Sequence, residues 1–363
     1  MTSVKHLQKL LKTKSLDAFL VSSYAHVSYL TGFYGFSQFE RDAYVLVTPK
    51  NIYLFTNPLY KDSFDPNSKS LLLKITSRDN PLTKQLHYVL QIEHIKSVGF
   101  EEENLTVSEF TKLQKDGIDF IPDTLSHLRI KKSHDEIQRI KSVCKLTDIV
   151  FEEFVKQTIE PGITEVNLAT RLEKIALEKN ASFSFPAIVA FGKNAAIPHH
   201  HSGETKLKKN DLILIDFGLK KDNYCSDMTR TFFIGKPTEE QKKAYAVVLE
   251  SQQVAVQQCN NVTMKQSTSV SAKNIDKAVR DYITSHNFPT IPHSLGHGIG
   301  LEVHEAPSLS PHSEDKLTEG MVFSIEPGIY LPGKFGIRIE DLYTIQNGNL
   351  TKLTNSKSDL TVL

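Results

Sequence analysis

The stretch Ser294-Leu295-Gly296-His297-Gly298-Ile299-Gly300-Leu301-Glu302-Val303-His304-Glu305 sets three glycines and two histidines within a dozen residues, with His293 immediately before it. Glycine lets backbone and ligand approach closely. Neutral imidazole is the commonest metal ligand and also a general acid or base. Alone, such a stretch could be a surface turn. Its neighbours change the reading. Leu212-Ile213-Leu214-Ile215 is an apolar strand pattern that runs into Asp216, and Asp227 opens a second one, Met228 to Ile234. The segment Gly218 to Ser226 between them is expected to be a polar turn, so that a hairpin brings the two Asp together. Downstream, Met321 to Ile325 runs into Glu326. The alternation Gly336-Ile337-Arg338-Ile339-Glu340 then places Arg338 and Glu340 on one face and the two Ile on the other. Ile215-Asp216-Phe217-Gly218 and Ile325-Glu326-Pro327-Gly328 echo one another.

Four carboxylates on apolar strands need a physical reason, because buried charges are paired or bind metal. Four separate ion pairs or exposed strand ends are the bland alternative. Four carboxylates with one imidazole make a hard, oxygen-rich donor set that suits Mn, Co, Fe or Zn and is too rich for one ion. Two divalent ions sharing carboxylates match the count.

Asp216, Asp227, His297, Glu326 and Glu340 stand in the order and contexts of the pita-bread metallopeptidases, the group of methionine aminopeptidase, aminopeptidase P and prolidase. The resembling segments are Leu-Ile-Asp-Phe-Gly, Ser-Asp-Met-Thr-Arg-Thr, Gly-His-Gly-Ile-Gly-Leu, Ile-Glu-Pro-Gly and Ile-Arg-Ile-Glu-Asp, within residues 212–341. The resemblance implies an α+β fold: an N-terminal α/β creatinase-like domain, residues 1–128, before a pita-bread catalytic domain with pseudo-twofold halves, residues 129–363. It implies two divalent ions, Mn first and Co, Fe or Zn as alternatives. Asp216 would hold one, His297 and Glu326 the other, and Asp227 and Glu340 would bridge. It further implies Glu326 as proton shuttle, His304 as stabiliser of the tetrahedral intermediate, and His199 and His293 as substrate contacts. Arg338, beside Glu340, is a candidate for substrate binding or for orienting carboxylates.

The large N-terminal domain and the set Pro198-His199, His293 and His304 resemble the Xaa-Pro branch, which implies peptides with proline at the second position. Some prolidases carry an Arg just after the segment that matches His304-Glu305, where it can capture a dipeptide's carboxylate. This chain has Ala306-Pro307-Ser308 there. That favours the aminopeptidase P type, with Xaa-Pro dipeptidase as the alternative and a non-catalytic protein-binding module as a third reading. Arg41 or Lys334 could supply a cation from elsewhere.

Composition limits the other classes. The chain has 363 residues and a net charge of +1, with 43 basic and 42 acidic residues well mixed. No basic run suggests nucleic acid. The longest apolar runs are strand-sized, below the roughly 20 residues of a membrane helix. Three cysteines, Cys144, Cys225 and Cys259, are few and far apart, which points to a reducing cytoplasm. Cys225 reads as a neutral filler.

Residues 1–128 alternate helical patterns (Val4–Lys14, Leu82–Leu90, Ser108–Lys115) with strands (Ala18–Val21, Tyr44–Val47, Ile52–Phe55, Ser97–Phe100). The stretch Gly35 to Asp42, with Phe36, Phe39, Glu40 and Arg41, reads as a loop. By resemblance such a domain builds homodimers and can reach a neighbour's site. Beyond it, Ser133 with Glu136 predicts a capping box, Thr164 starts a helix to about Asn180, and Thr238 with Gln241 caps another to about Cys259. Ser269 is expected to start one to about Asn287. His200 and His201 read as bystanders to His199.

Overall fold

The computed structural model describes residues 2–65, 68, 70–263 and 269–363. It divides into two compact units, Met1–Leu128 and Arg129–Leu363.

The first unit is built on a six-stranded mixed sheet in the order Leu72–Ile75, Ile52–Thr56, Ala43–Val47, Ala18–Val21, Ser97–Glu101, Asp119–Asp123. Successive side chains leave opposite faces of a strand. Phe19 and Val21 therefore pack with Leu7, Leu11, Val27 and Leu30 of the helices Thr2–Thr13 and Tyr24–Thr31. Ala18 and Leu20 pack with Leu86, Val89 and Leu90 of the helix Leu82–Ile92. The four expected strands and three helices are present. The helix Tyr24–Thr31 and the strands Leu72–Ile75 and Asp119–Asp123 are additional; the helix is short and the last strand is mostly exposed, so neither carries a clear apolar period. The loop before Asp42 is tied down by that residue, which accepts from the Ser37 N–H at 2.9 Å and the Tyr60 hydroxyl at 2.6 Å.

One buried carboxylate braces this unit. Glu101 accepts from the Ser23 N–H at 2.8 Å and the Ser23 hydroxyl at 2.7 Å, and it lies 2.6 Å from His26 Nδ1. Burial alone would raise its pKa, but the His26 contact and the Ser22 and Ser23 N–H groups outweigh burial and hold it at about 2. A folded pKa below the unfolded 4.5 means stability that is complete above about pH 4.5 and lost as pH falls toward 2. Glu101→Gln should cost about 3 kcal/mol at pH 7. Urea unfolding of the variant and the wild type should show this gap narrowing between pH 5 and pH 2. A pH-independent gap would mean that the carboxylate's charge is not what matters.

The second unit repeats one plan. Helices His134–Val155 and Glu165–Glu178 precede strands Ile188–Phe191, Leu212–Phe217 and Met228–Phe233. Helices Glu239–Thr263 and Ala272–Ser285 precede strands Gly296–Gly298, Glu305–Leu309, Val322–Ile325 and Asp341–Gln346. The Ser133–Glu136 capping box forms. Thr238 and Gln241 make the same reciprocal bonds, at 2.8 and 3.2 Å. The fourth helix starts later than expected. Val270–Ser271 first pairs with Lys316–Leu317, so Ser271 rather than Ser269 is its N-cap.

The hairpin joining the two Asp-bearing strands also differs from expectation. Residues 218–226 are not a polar turn. Leu219–Lys221 and Tyr224–Cys225 pair across Asp222 and Asn223, which have φ of 50° and 71°. Two consecutive positive φ values suit a tight two-residue hairpin, and Asp and Asn tolerate that region. Leu219, Tyr224 and Cys225 are buried. Four charged or amide side chains between them, Lys220 to Asn223, hide this short apolar alternation in the sequence. All three cysteines are buried, and no described helix is long and apolar enough to cross a membrane.

Candidate metal centre

Each carboxylate expected at the site lies at or just beyond a strand end. Leu212–Phe217 runs antiparallel to Met228–Phe233 with Asp216 opposite Thr229, so Asp227 enters its strand beside Asp216. Val322–Ile325 pairs with Asp341–Gln346, Ile325 opposite Asp341, which sets Glu326 and Glu340 side by side just beyond the paired residues. Arg338 closes the strand Phe335–Arg338, and Glu340 lies beyond it. Both still reach one hydroxyl: Thr229 Oγ1 donates to Glu340 at 2.7 Å and lies 3.0 Å from Arg338 Nε. The Glu340 N–H donates to Thr229 O at 3.1 Å. These bonds join the two halves at the site.

His297 sits between its glycines for a steric reason. A Cβ on Gly296 would meet Ser324 O at 2.0 Å, and one on Gly298 would meet Ala306 O at 2.1 Å. Only bare backbone lets this strand lie between its two neighbours. His297 Nδ1 lies 3.1 Å from Gly298 O. A carbonyl carries no proton, so Nδ1 donates and Nε2 keeps a free lone pair. That lone pair faces Glu326 Oε1 at 3.4 Å and Asp227 Oδ2 at 3.6 Å. Burial, then the adjacent His304, lowers the His297 pKa to about 4, so these contacts are not ion pairs near neutral pH.

The arrangement is electrostatically incomplete without a cation. Asp216 Oδ1, Asp227 Oδ1 and Glu340 Oε1 are buried with no hydrogen-bond partner. One donor atom each from Asp227, His297 and Glu340 lie within 4.8 Å of one another. Burial, and then the Glu340, Asp216 and Glu326 charges, push the Asp227 carboxyl well above its usual range. Burial followed by Glu340 does the same to Glu326, and burial followed by Asp216 raises Glu340. Orphaned oxygens, a lone pair facing carboxylates and crowded like charges are what divalent cations would compensate. The residues therefore fit the metal expected of them.

Several neighbours were not legible in advance. Arg338, a candidate for substrate binding or for orienting carboxylates, spends its guanidinium inside the protein: it donates to Asp216 Oδ2 at 2.6 Å, Tyr330 Oη at 2.8 Å and Pro198 O at 3.4 Å. His293, also expected on the substrate, has both ring nitrogens engaged. Nδ1 lies 2.7 Å from Ser294 O and therefore donates; Nε2, 2.8 Å from the Tyr330 hydroxyl, therefore accepts. Tyr330 thus links Arg338 to His293, and no local pattern marks it. The Ser324 hydroxyl accepts the His297 N–H at 3.0 Å and donates to Glu326 at 3.4 Å.

His304 meets the His297 ring edge to face at 4.3 Å. Its loop is fixed by buried Glu305, which accepts from Arg129 at 2.8 Å, Lys132 at 3.2 Å and the Glu302 N–H at 3.0 Å. His199 is exposed and directly follows Pro198, whose carbonyl lies 3.4 Å from Arg338. The His200 ring is engaged inside the protein, with Nε2 2.8 Å from buried Glu165. Of the two cations considered for a substrate carboxylate, Arg41 pairs with Glu109 at 2.9 Å and Lys334 with Glu240 at 2.8 Å.

The chain matches two family models, metallopeptidase family M24 over residues 138–347 and the creatinase/prolidase N-terminal domain over residues 4–130. It is 30% identical to an Xaa-Pro dipeptidase of Pyrococcus horikoshii, over 98% of each chain. Among solved structures, an Xaa-Pro dipeptidase from Bacillus anthracis superposes with a TM-score of 0.89 at 30% identity, covering 100% of this chain and 99% of the other. An X-Pro aminopeptidase from Thermotoga maritima gives 0.83 at 31% identity, with 96% and 98% covered. The repeated helix–helix–strand plan is the expected pita-bread domain, and the chain belongs to metallopeptidase family M24, with a creatinase/prolidase N-terminal domain ahead of the peptidase domain.

Proposed function

We propose that this chain is an Xaa-Pro dipeptidase that uses two divalent ions. The observation that carries the reading is the set of buried Asp227, half-buried His297 and buried Glu340, with its orphaned carboxylate oxygens, in a chain similar from end to end to a protein named Xaa-Pro dipeptidase. Asp216 would hold one ion, His297 and Glu326 the other, with Asp227 and Glu340 shared. Bound divalent ions lower the pKa of water and polarise a carbonyl. The hard oxygen set makes Mn the first ion to test, then Co, Fe and Zn.

The chain's own groups do the rest. Glu326 moves the proton to the leaving amine. His304, held by the Glu305 anchor, donates to the developing oxyanion. His199 and the faces of the His293 ring line the proline side, where the leaving residue has no N–H to satisfy. Arg338 orients Asp216 rather than touching the peptide. A cytoplasmic homodimer is the working form we propose, from the family resemblance.

The missing Arg at Ala306-Pro307-Ser308 favours aminopeptidase P, as does the commitment of Arg41 and Lys334 to carboxylates. The full-length similarity to Xaa-Pro dipeptidases outweighs both. The expected result is a kcat/KM at least about tenfold higher for Ala-Pro than for Ala-Pro-Ala, roughly 1.4 kcal/mol of transition-state preference, with the same metal in both assays. Equal or faster cleavage of the tripeptide returns the aminopeptidase reading.

A further inference from the structure

We propose that Glu165 and His200 are positioning residues that aim His199 at the substrate; this rests on the Xaa-Pro peptidase reading above. Glu165 opens the helix Glu165–Glu178 and its side chain is wholly buried. Its Oε1 accepts from the Phe191 N–H at 2.8 Å and Asn194 Nδ2 at 2.9 Å. Its Oε2 accepts from His200 Nε2 at 2.8 Å and the Gly203 N–H at 3.2 Å. One carboxylate thus gathers the start, the middle and the end of the segment 191–203.

A carboxylate satisfied by four donors is held firmly, and it holds its donors in turn. Because it only accepts, the His200 proton must sit on Nε2. The His200 N–H donates to Ile197 O at 3.1 Å and the Ile197 N–H to Asn194 O at 3.0 Å, so the backbone into His199 is a closed turn. The opposite side is braced as well. A Cβ on Gly336 would meet Ala195 O at 1.9 Å, so the segment lies directly on the strand Phe335–Arg338, and Arg338 reaches Pro198 O. His200 is turned inward to Glu165, while its neighbour His199 stays exposed and directly follows Pro198, whose carbonyl accepts from the same Arg338 that binds Asp216. Loss of the His200 anchor frees the turn beneath His199 without touching the carboxylates of the metal centre.

The test is a double-mutant cycle on the Mn-loaded full chain with Ala-Pro. His200→Phe should lower kcat/KM by about 10- to 100-fold, the range for supporting groups around a site. His200→Gln, which keeps a donor for Glu165, should recover to within about threefold of the wild type, and bound metal should be unchanged in both. In a His199→Ala background, His200→Phe should add less than about twofold, because the residue it positions is gone. The same factor in both backgrounds overturns the proposal, as does wild-type activity in His200→Phe. If His200→Phe does not fold, His200→Ala is judged by the same criteria. A readout independent of substrate is the His199 Cε1–H resonance, assigned by its loss in His199→Ala. It should shift in His200→Phe and stay in place in His200→Gln; an unmoved resonance in His200→Phe also overturns the proposal. Failure of the peptidase reading shows separately, as a metal-loaded wild type that cleaves neither Ala-Pro nor Ala-Pro-Ala, and the resonance then decides the positioning role.

Discussion

Asp227→Ala and Glu340→Ala should each abolish peptide hydrolysis and strip bound metal. Both residues carry a buried oxygen with no partner in the protein, and both belong to the cluster that closes on His297 Nε2. A ligand shared by two ions serves both at once, so its loss should lower kcat/KM by about a thousandfold or more, roughly 4 kcal/mol of transition-state stabilisation. Neither substitution should unfold the domain. Without a cation the site crowds like charges, and removing one carboxylate relieves that repulsion. The measurement is bound metal after equilibration with Mn, with kcat/KM and Tm on the same preparations. A variant with full metal and a near-normal rate would falsify the ligand assignment. A wild type that takes up none of Mn, Co, Fe or Zn would make the chain a binding module instead.

The second large effect separates two rings only 4.3 Å apart. His297→Ala should lose metal and activity together, since its Nδ1 is pinned to Gly298 O and its Nε2 lone pair points between Asp227 and Glu326. His304→Ala should keep its metal and lose turnover by about 100- to 1,000-fold, the range for removing one donor to an oxyanion. KM should move far less than kcat, because an interaction formed only in the transition state leaves ground-state binding alone. Equal metal loss in the two variants would mean that their roles are confused here.

The halves of the site differ in how far they could be read ahead. Asp216 and Glu326 were visible because an apolar run that ends in a carboxylate and Gly is odd at the level of neighbours in the chain. His297 was visible through its glycines, and the structure shows why those are glycines: carbonyls of Ser324 and Ala306 fill the Cβ positions. Arg338 is legible as a residue that could orient a carboxylate, but which one is not, since its partner Asp216 is 122 residues away and the alternation of a strand reports a face, not an occupant. The family resemblance singles out the His after Pro198 and says nothing of His200, and only the fold puts Glu165 beneath that ring.

By itself the sequence determined the periodic and punctuated features: the Ser133–Glu136 cap, the strands that carry the carboxylates, the repeated helix–helix–strand plan and the likeness to pita-bread peptidases. Those are local, since hydrophobic period, caps and glycine sterics act over a few residues. Tertiary structure alone decided the Tyr330 link from Arg338 to His293, the Glu305 anchor to Arg129 and Lys132, the Glu165 clamp and the small buried hairpin around Asp222 and Asn223. A buried polar group must be satisfied by whichever partner packing brings within about 3 Å, and packing is a property of the whole chain.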